Sequence, residues 1–335
     1  MEKILSVSVA AYNAAKDICN CLDSLLNTDV KDYLEIIVVN DGSKDNTEEI
    51  VRKYVEQYPE IVKLIDKENG GHGSTINASI RIATGKYYKI VDSDDWVEKD
   101  GIEKLVRTLK DTHVDLVLNP YHDIDANTRS VRKKVNPFQN AEQCNRVYSI
   151  EDMENIQILM HSVTFKADVI RKMGPVIDEK CFYVDLEYIL FSMLHVKTYM
   201  CCDYPVYCYL LGTATQSVST KNMIARRAQH LKVVKRIVSF YEENKVNFRE
   251  KVRAMVANRI YAAVMVQYKI YFRMEEPSAK QEAADFDRWL KAASPELYEG
   301  KQGKMIKILK FMRFTNFALF KVAAQCLQLL KVELR

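Results

Sequence analysis

The chain is poor in the residues that break or staple a fold. Seven prolines and ten glycines in 335 residues leave no collagen-like, low-complexity or disordered stretch, and no segment repeats. The eight cysteines (Cys19, Cys21, Cys144, Cys181, Cys201, Cys202, Cys208 and Cys326) lack framework spacing. Neither Cys19/Cys21 nor Cys201/Cys202 has the two-residue gap of a zinc or redox pair, so reduced, mostly buried thiols in a cytoplasmic protein are expected. No apolar run reaches bilayer length free of charges. Met1-Glu2-Lys3 leads straight into strand-like sequence, so no signal peptide is expected. A formal net charge of +4 is too small to imply nucleic-acid binding. With 48% hydrophobic and 28% charged residues, the composition is that of a folded globular protein, one large domain with an appendage or two domains.

From the N-terminus to Leu118, short β-branched runs alternate with helical periodicity, the pattern of a parallel sheet covered on both faces. Strands are predicted at Ile4–Ala10, Leu34–Val39, Ile61–Ile65, Tyr87–Val91 and Asp115–Leu118. Ile18, Leu22, Leu25 and Leu26 share one helical face, and Asn46 with Glu49 predicts a capping box before the next helix. A turn with Gly70, Gly71 and Gly73 opens a helix over Ser74–Ala83, and another helix covers Ile102–Leu109. Asn119 to Pro137 is expected to form a hairpin over the sheet. Further along, helices are predicted near Asp152–Leu159, at Asp168–Met173 and at Asp185–Leu194, with strands at Ser162–Phe165 and Tyr199–Tyr209. Beyond Ser219 long helical stretches take over, Ile224–Asn244 and Phe248–Phe272, which places a boundary between 1–219 and 220–335.

In an open α/β sheet, ligands bind outside the carboxyl ends of the strands. Three predicted strands end in polar turns there: Tyr12-Asn13, Asp41, and Asp92 with Asp94. Asp92 and Asp94 are two apart and would face one side of an extended segment, and hard carboxylate oxygens suit Mg²⁺ or Mn²⁺ beside phosphate. A helix N-cap is the competing reading of Asp92 to Asp95, and an Asx turn that of Asp41. One acid suffices for a cap, and Asp95 is expected to serve as it.

Val7-Ser8-Val9, Tyr12-Asn13, the run from Glu35 to Ser43, the run from Glu68 to Ser74, Asn77, and the run from Gly85 to Trp96 resemble, in order, the successive blocks of the family 2 glycosyltransferases of GT-A fold. The resemblance implies an α/β, Rossmann-like nucleotide-diphospho-sugar transferase domain with a mostly α-helical C-terminal region. It implies inverting transfer from a nucleoside-diphosphate sugar, usually a UDP-sugar, with Mn²⁺ or Mg²⁺ as cofactor. The 1–219 domain would then comprise a nucleotide-binding half, 1–118, and an acceptor-side half, 119–219. Asp41 would hold the base or ribose, Asp92 and Asp94 the metal and diphosphate, and Ala11, Tyr12, Asn13, Asn69, Gly71, Ser74, Asn77 and Ser93 would line the donor site. The chain departs from the family pattern after the Gly-rich turn: Thr75-Ile76-Asn77-Ala78-Ser79 puts Ile76 where an Arg is usual.

Inverting transfer needs a base for the acceptor hydroxyl. Phe182 to Tyr188 is similar to the family's acid-bearing helix start, which makes Asp185 the implied base, with Val184 in place of the first acid of the pair. A helix N-cap is again the competing reading. Trp96, His161, Glu187, Gln216 and Ser217 are candidate acceptor or substrate contacts. His72 in the Gly-rich turn is a further candidate, against the ordinary structural role of a lone histidine.

Residues 301–335 carry eight Lys or Arg residues against Glu333 and interleave them with Phe, Ile and Leu. Such a basic amphipathic end can lie on an anionic membrane surface, making the protein peripheral at the inner face of the cell membrane, or can pack on its own domain or on a partner subunit, including another copy in a homo-oligomer. Membrane contact would suit a glycan or lipid-linked acceptor. A Rossmann dehydrogenase is disfavoured because no GxGxxG follows the first strand, and a pyrophosphorylase because Ala10-Ala11-Tyr12-Asn13 stands where its phosphate loop belongs. The remaining alternative is a catalytically inactive nucleotide-sugar-binding or scaffolding protein of the same fold, against which Asp92, Asp94 and Asp185 argue.

Overall fold

A computed structural model describes residues 2–139, 144–154, 156–174, 176–212, 219–300 and 304–329. The chain divides into two compact units, Met1–Ala214 and Thr215–Arg335.

The first unit opens with β1 (Leu5–Ala11), α1 (Ile18–Leu26), β2 (Leu34–Asp41), α2 (Thr47–Gln57), β3 (Val62–Lys67), α3 (His72–Ile82) and β4 (Tyr87–Asp92). Next come β5 (Trp96–Val97), α4 (Lys99–Asp111), β6 (Leu116–Leu118), β7 (Tyr121–Asp125), β8 (Val131–Val135) and β9 (Val147–Ser149). β10 (Val163–Lys166), α5 (Ala167–Met173), α6 (Asp185–Met193), β11 (Thr198–Cys201) and β12 (Tyr207–Leu211) complete it.

The main sheet has the order β3-β2-β1-β4-β10-β6-β11-β9, with β3, β2, β1 and β4 parallel and β10 antiparallel to both its neighbours. The chain winds outward from β1 to β3 and returns on the other side of β1 with β4. Ala11 and Asp92 therefore flank the point where the winding reverses, the place where side chains from different loops can converge on a ligand. Both faces of this sheet are covered, so β2 is buried along its whole length and reads as an apolar run. Its one internal acid, Glu35, is satisfied by Lys63 Nζ at 2.6 Å and by the Thr84 N–H at 2.8 Å.

Four local expectations change. The stretch predicted as one strand over Tyr199–Tyr209 is two, β11 and β12, in different sheets. Pro205 between them has no N–H for a ladder. The hairpin β7/β8 is not an isolated pair but joins β12 and β5 in a second sheet, β5-β12-β7-β8. Asn46 sits at the cap of α2 without a side-chain cap bond, and Asp45 Oδ1 instead accepts the Thr47 N–H at 3.1 Å. Only a single 3₁₀ turn, Ile150–Asp152, stands where a helix near Asp152–Leu159 was expected.

The second unit is helical: α7 (Thr220–Ala225), α8 (Arg227–Asn244), α9 (Glu250–Arg273), α10 (Ala279–Ala293), α11 (Pro295–Glu299), α12 (Lys304–Phe314) and α13 (Phe320–Leu329). Val233, Val234, Ile237, Val238 and Tyr241 of α8 and Val256, Ile260, Val264 and Tyr268 of α9 are buried at helical spacing. A buried Asp287 accepts from Tyr268 Oη at 2.6 Å and from Arg313 Nε at 2.9 Å, which fixes α12 to the bundle. No helix among the described residues is long and apolar enough to cross a membrane.

Candidate active site

Asp92 ends β4, and the chain turns at once: the Asp95 N–H donates to the Asp92 carbonyl at 3.0 Å. Asp92 and Asp94 are thus presented by a turn and not by an extended segment. Asp95 is no helix cap, since α4 begins only at Lys99 with Glu98 at the cap position. Asp95 is buried instead. Its carboxylate accepts from Tyr207 Oη at 2.5 Å and from the Leu210 N–H at 2.7 Å, while the Asp92 N–H donates to Tyr207 Oη at 3.1 Å. The third acid of the run therefore ties β12 of the small sheet beneath the acid turn. Burial, with Asp94 and Asp92 beside it, pushes the Asp95 carboxyl well up.

The two remaining acids are less enclosed, Asp92 half-buried and Asp94 exposed. Burial raises the Asp92 carboxyl, His72 opposes that rise, and the charge of Asp185 adds to it. His72 Nε2 lies 3.5 Å from Asp92 Oδ1. Asp94 keeps an exposed carboxylate, yet the protein packed around it, and then Asp92, pushes its carboxyl up to about 6. These acids repel one another, Asp185 raising the carboxyl of Asp92 and Asp92 that of Asp94. That arrangement of hard oxygen donors fits a divalent cation such as Mn²⁺ or Mg²⁺, whose charge would relieve the repulsion. A second grouping, Asp92, Asp95 and His161, has its polar atoms within 4.8 Å of one another, but both Asp95 oxygens already accept protein hydrogen bonds.

Asp41 closes β2 and is also buried. Its carboxylate accepts the Gly70 N–H at 2.8 Å, the Gly71 N–H at 2.7 Å and Lys67 Nζ at 2.9 Å, and Ser74 Oγ lies at 3.2 Å. The Asp41 carbonyl accepts from Asn69 Nδ2 at 2.9 Å. The resemblance implied contact with base or ribose, and in this structure the carboxylate shapes the Gly-rich turn.

Asn77, on the buried face of α3, is likewise turned inward. Its side chain donates to the Ile177 carbonyl at 2.8 Å and to Glu179 Oε1 at 3.1 Å, and accepts the Ile177 N–H at 3.0 Å. From the other side, Glu187 of α6 is fully buried and accepts the Asp178 N–H at 2.8 Å. Residues 177–179 are held between two helices, and that clamp carries the chain to Asp185 at the start of α6. Gly73 is required for the approach, because a Cβ there would stand 2.0 Å from the Asp178 carbonyl oxygen. Glu187, expected as a substrate contact, is a fastening point of the interior, as are Asn77 and Ser74.

Among the other candidates, Ala11 is buried at the end of β1 and Tyr12 stands 53% exposed beside it, an aromatic face open to the crevice mouth. Asn13 takes a left-handed conformation, φ 50°, and accepts the Lys44 N–H at 2.8 Å, tying the turn after β1 to the turn after β2. Ser93 is buried within the acid turn. Trp96 packs on the small sheet with Ile124, Cys208 and Leu210, and the Arg129 guanidinium lies 5.4 Å over its ring. His161 stacks on Tyr209 at 4.1 Å and meets Tyr207 edge-on at 4.9 Å. Gln216 and Ser217 lie outside the described residues.

Lys89 was not anticipated. In the middle of β4 it is fully buried, donates to the carbonyls of His161 at 3.0 Å and Val163 at 3.1 Å, and lies 5.7 Å over the Tyr207 ring. Burial alone pulls its pKa down to about 7. The available signal was a lysine inside an otherwise apolar strand, Tyr87–Val91.

The model of "Glycosyl transferase family 2" matches residues 6–173, the segment holding β1 through α5. The "Putative glycosyltransferase EpsH" of Bacillus subtilis (strain 168) is 41% identical over 117 residues, 35% of this chain and 33% of its own length. The chondroitin synthase of Pasteurella multocida (strain Pm70) is 42% identical over 109 residues, 32% of this chain and 11% of the relative. The matched region thus spans a third or less of these curated relatives. Among solved structures, S. aureus TarS 1–349 in complex with UDP-GlcNAc superposes with a TM-score of 0.70 at 16% identity, covering 97% of this chain and 91% of that one. The order of the parallel strands, the acid turn after β4 and the family model over half the chain agree: this chain belongs to glycosyl transferase family 2 and has the GT-A fold.

Proposed function

We propose that this chain is an inverting glycosyltransferase that moves a sugar from a UDP-sugar to a hydroxyl of a glycan or lipid-linked acceptor. The observation that carries the reading is convergence: Asp185, far along the chain, lies near enough to Asp92 for its charge to raise that carboxyl. A candidate base and a candidate diphosphate site thus share one crevice. Uridine is the nucleotide of choice because structures of the same fold hold UDP and UDP-GlcNAc.

In this reading Asp185 takes the acceptor hydroxyl proton as the oxygen attacks the anomeric carbon from the face opposite the leaving group. The bond from that carbon to the diphosphate oxygen breaks, and UDP departs. Tyr12 offers a face on which a base can stack, and the Asn13–Lys44 bond holds its loop. Asp94 and Asp92 would hold Mn²⁺ or Mg²⁺, which when bound supplies Lewis-acid neutralisation of the leaving diphosphate. Asp41 and the Gly-rich turn form the floor, and the clamp at residues 177–179 sets the position of Asp185.

A thermal-shift screen of UDP-, GDP- and dTDP-sugars with and without Mn²⁺ finds the donor, since a ligand selective for the folded state raises apparent stability. Transfer or donor hydrolysis is then expected to require the metal and to be lost in Asp94→Asn and Asp185→Asn. Full transfer activity in chelator, or in Asp185→Asn, would overturn the mechanism.

A further inference from the structure

The end of the second unit carries a surface that sugar transfer does not use. α12 and α13 follow one another along the chain and bury Ile306, Leu309, Met312, Phe320, Ala324 and Leu327, with Phe317 buried in the turn between them and Phe320 stacked on Phe272 of α9 at 4.9 Å. The outer side of this segment is also apolar. Phe311 is 50% exposed, Phe314 88%, Leu319 41% and Val322 54%. On α12 the exposed residues Lys307, Lys310, Phe311 and Phe314 follow helical spacing, and Leu319, Val322 and Cys326 do so toward α13. The turn between the helices holds Asn316 and Phe317 at positive φ, and the exposed Phe314 and Leu319 stand on either side of those two residues. Lys321 is exposed too, and no Asp or Glu occurs anywhere in residues 304–329.

We propose that this outer face docks on an anionic phospholipid bilayer, the phenyl rings and leucine entering the interface and Lys307, Lys310 and Lys321 meeting the headgroups. Neither helix can span, since α12 has 11 residues and α13 has 10, so the contact lies in the plane of the interface. Charge decides between a bilayer and a second copy of the chain. A two-fold interface through this patch would bring like lysines together with no acid to pair them, whereas a negative headgroup layer satisfies all three. The arrangement is independent of the nucleotide chemistry proposed above and stands or fails without it.

The test is co-sedimentation of the full chain with phosphatidylcholine vesicles and with vesicles containing phosphatidylglycerol as well. Binding to the anionic vesicles alone is expected. It should be released at about 1 M salt, where the Debye length is roughly 3 Å. Neutralising each of Lys307, Lys310 and Lys321 to Gln should weaken binding on the order of fivefold. The double change Phe311→Ser with Phe314→Ser should weaken it by about tenfold or more. The salt experiment needs no variant, so a misfolded mutant cannot blur the outcome. Absence of binding to anionic vesicles at low salt overturns the proposal. So does undiminished binding by the double phenylalanine variant, or a concentration-dependent dimer that this variant dissolves while vesicle binding is unchanged.

Discussion

Lys89 allows a test that requires no substrate. Burial lowers its pKa from 10.5 to about 7, so folding disfavours the ammonium form. As pH falls from about 10.5 to about 7, the unfolded chain takes up a proton that the folded chain refuses, and stability falls. Below about 7 both states hold the proton and the penalty is constant. At about 1.4 kcal/mol per pH unit the window amounts to at most roughly 5 kcal/mol. Lys89→Met keeps the aliphatic stem and removes the titration. It also removes the bonds to the His161 and Val163 carbonyls, a cost of about 1–3 kcal/mol that does not vary with pH. The assay is urea unfolding of both proteins from about pH 7 to about pH 10. Buried tyrosines and cysteines such as Tyr88 and Cys202, whose pKa values are raised to about 12 and about 11, weaken both proteins alike as pH climbs, so the difference between the curves isolates the lysine. The stability of wild type relative to Lys89→Met should rise by about 1 kcal/mol per pH unit. Parallel curves would refute a lysine whose ammonium form is disfavoured by burial.

Two further tests concern the crevice. Asn77→Ala leaves the buried N–H and carbonyl of Ile177 without their partner, so a loss of about 2–4 kcal/mol in urea unfolding is expected. Once a donor is found, kcat should fall with little change in donor KM, because in the proposed mechanism the clamp positions Asp185 and not the nucleotide; an unchanged kcat would remove the clamp from the mechanism. In the proposed mechanism a metal would be held by an ionised Asp94, whose carboxyl is pushed up to about 6. Mn²⁺ affinity measured by calorimetry should therefore hold above that pH and fall by up to about tenfold per unit below it. A flat profile would exclude Asp94 as a ligand.

Much of the first unit is legible in the chain because its signals are local. β1, β2 and β4 announce themselves as apolar runs, since a strand buried on both faces needs an apolar residue at nearly every position. The places of Asp92, Asp94 and Asp185 at a strand end, the turn after it and a helix start are legible too, because those are where a doubly wound sheet collects its acids. The split of the predicted strand at Tyr199–Tyr209 shows the limit: Pro205 was visible, but only the pairing of β12 with β5 and β7 explains why the chain changes sheets there.

Residue types and spacing by themselves determined that the chain folds as a covered parallel sheet followed by helices, and that acids gather at the ends of its strands. Only the tertiary structure decided what each polar side chain does there. Asp95, expected as a cap, became the anchor of β12; Asn77 and Glu187, expected at the substrate, became the clamp on residues 177–179; Asp41 became the holder of the Gly-rich turn. In each case a buried polar group must find a partner inside the protein, and for Asn77, Asp95 and Asp41 that partner, Ile177, Tyr207 or Gly70, belongs to a different element of the chain, where no local pattern can register it.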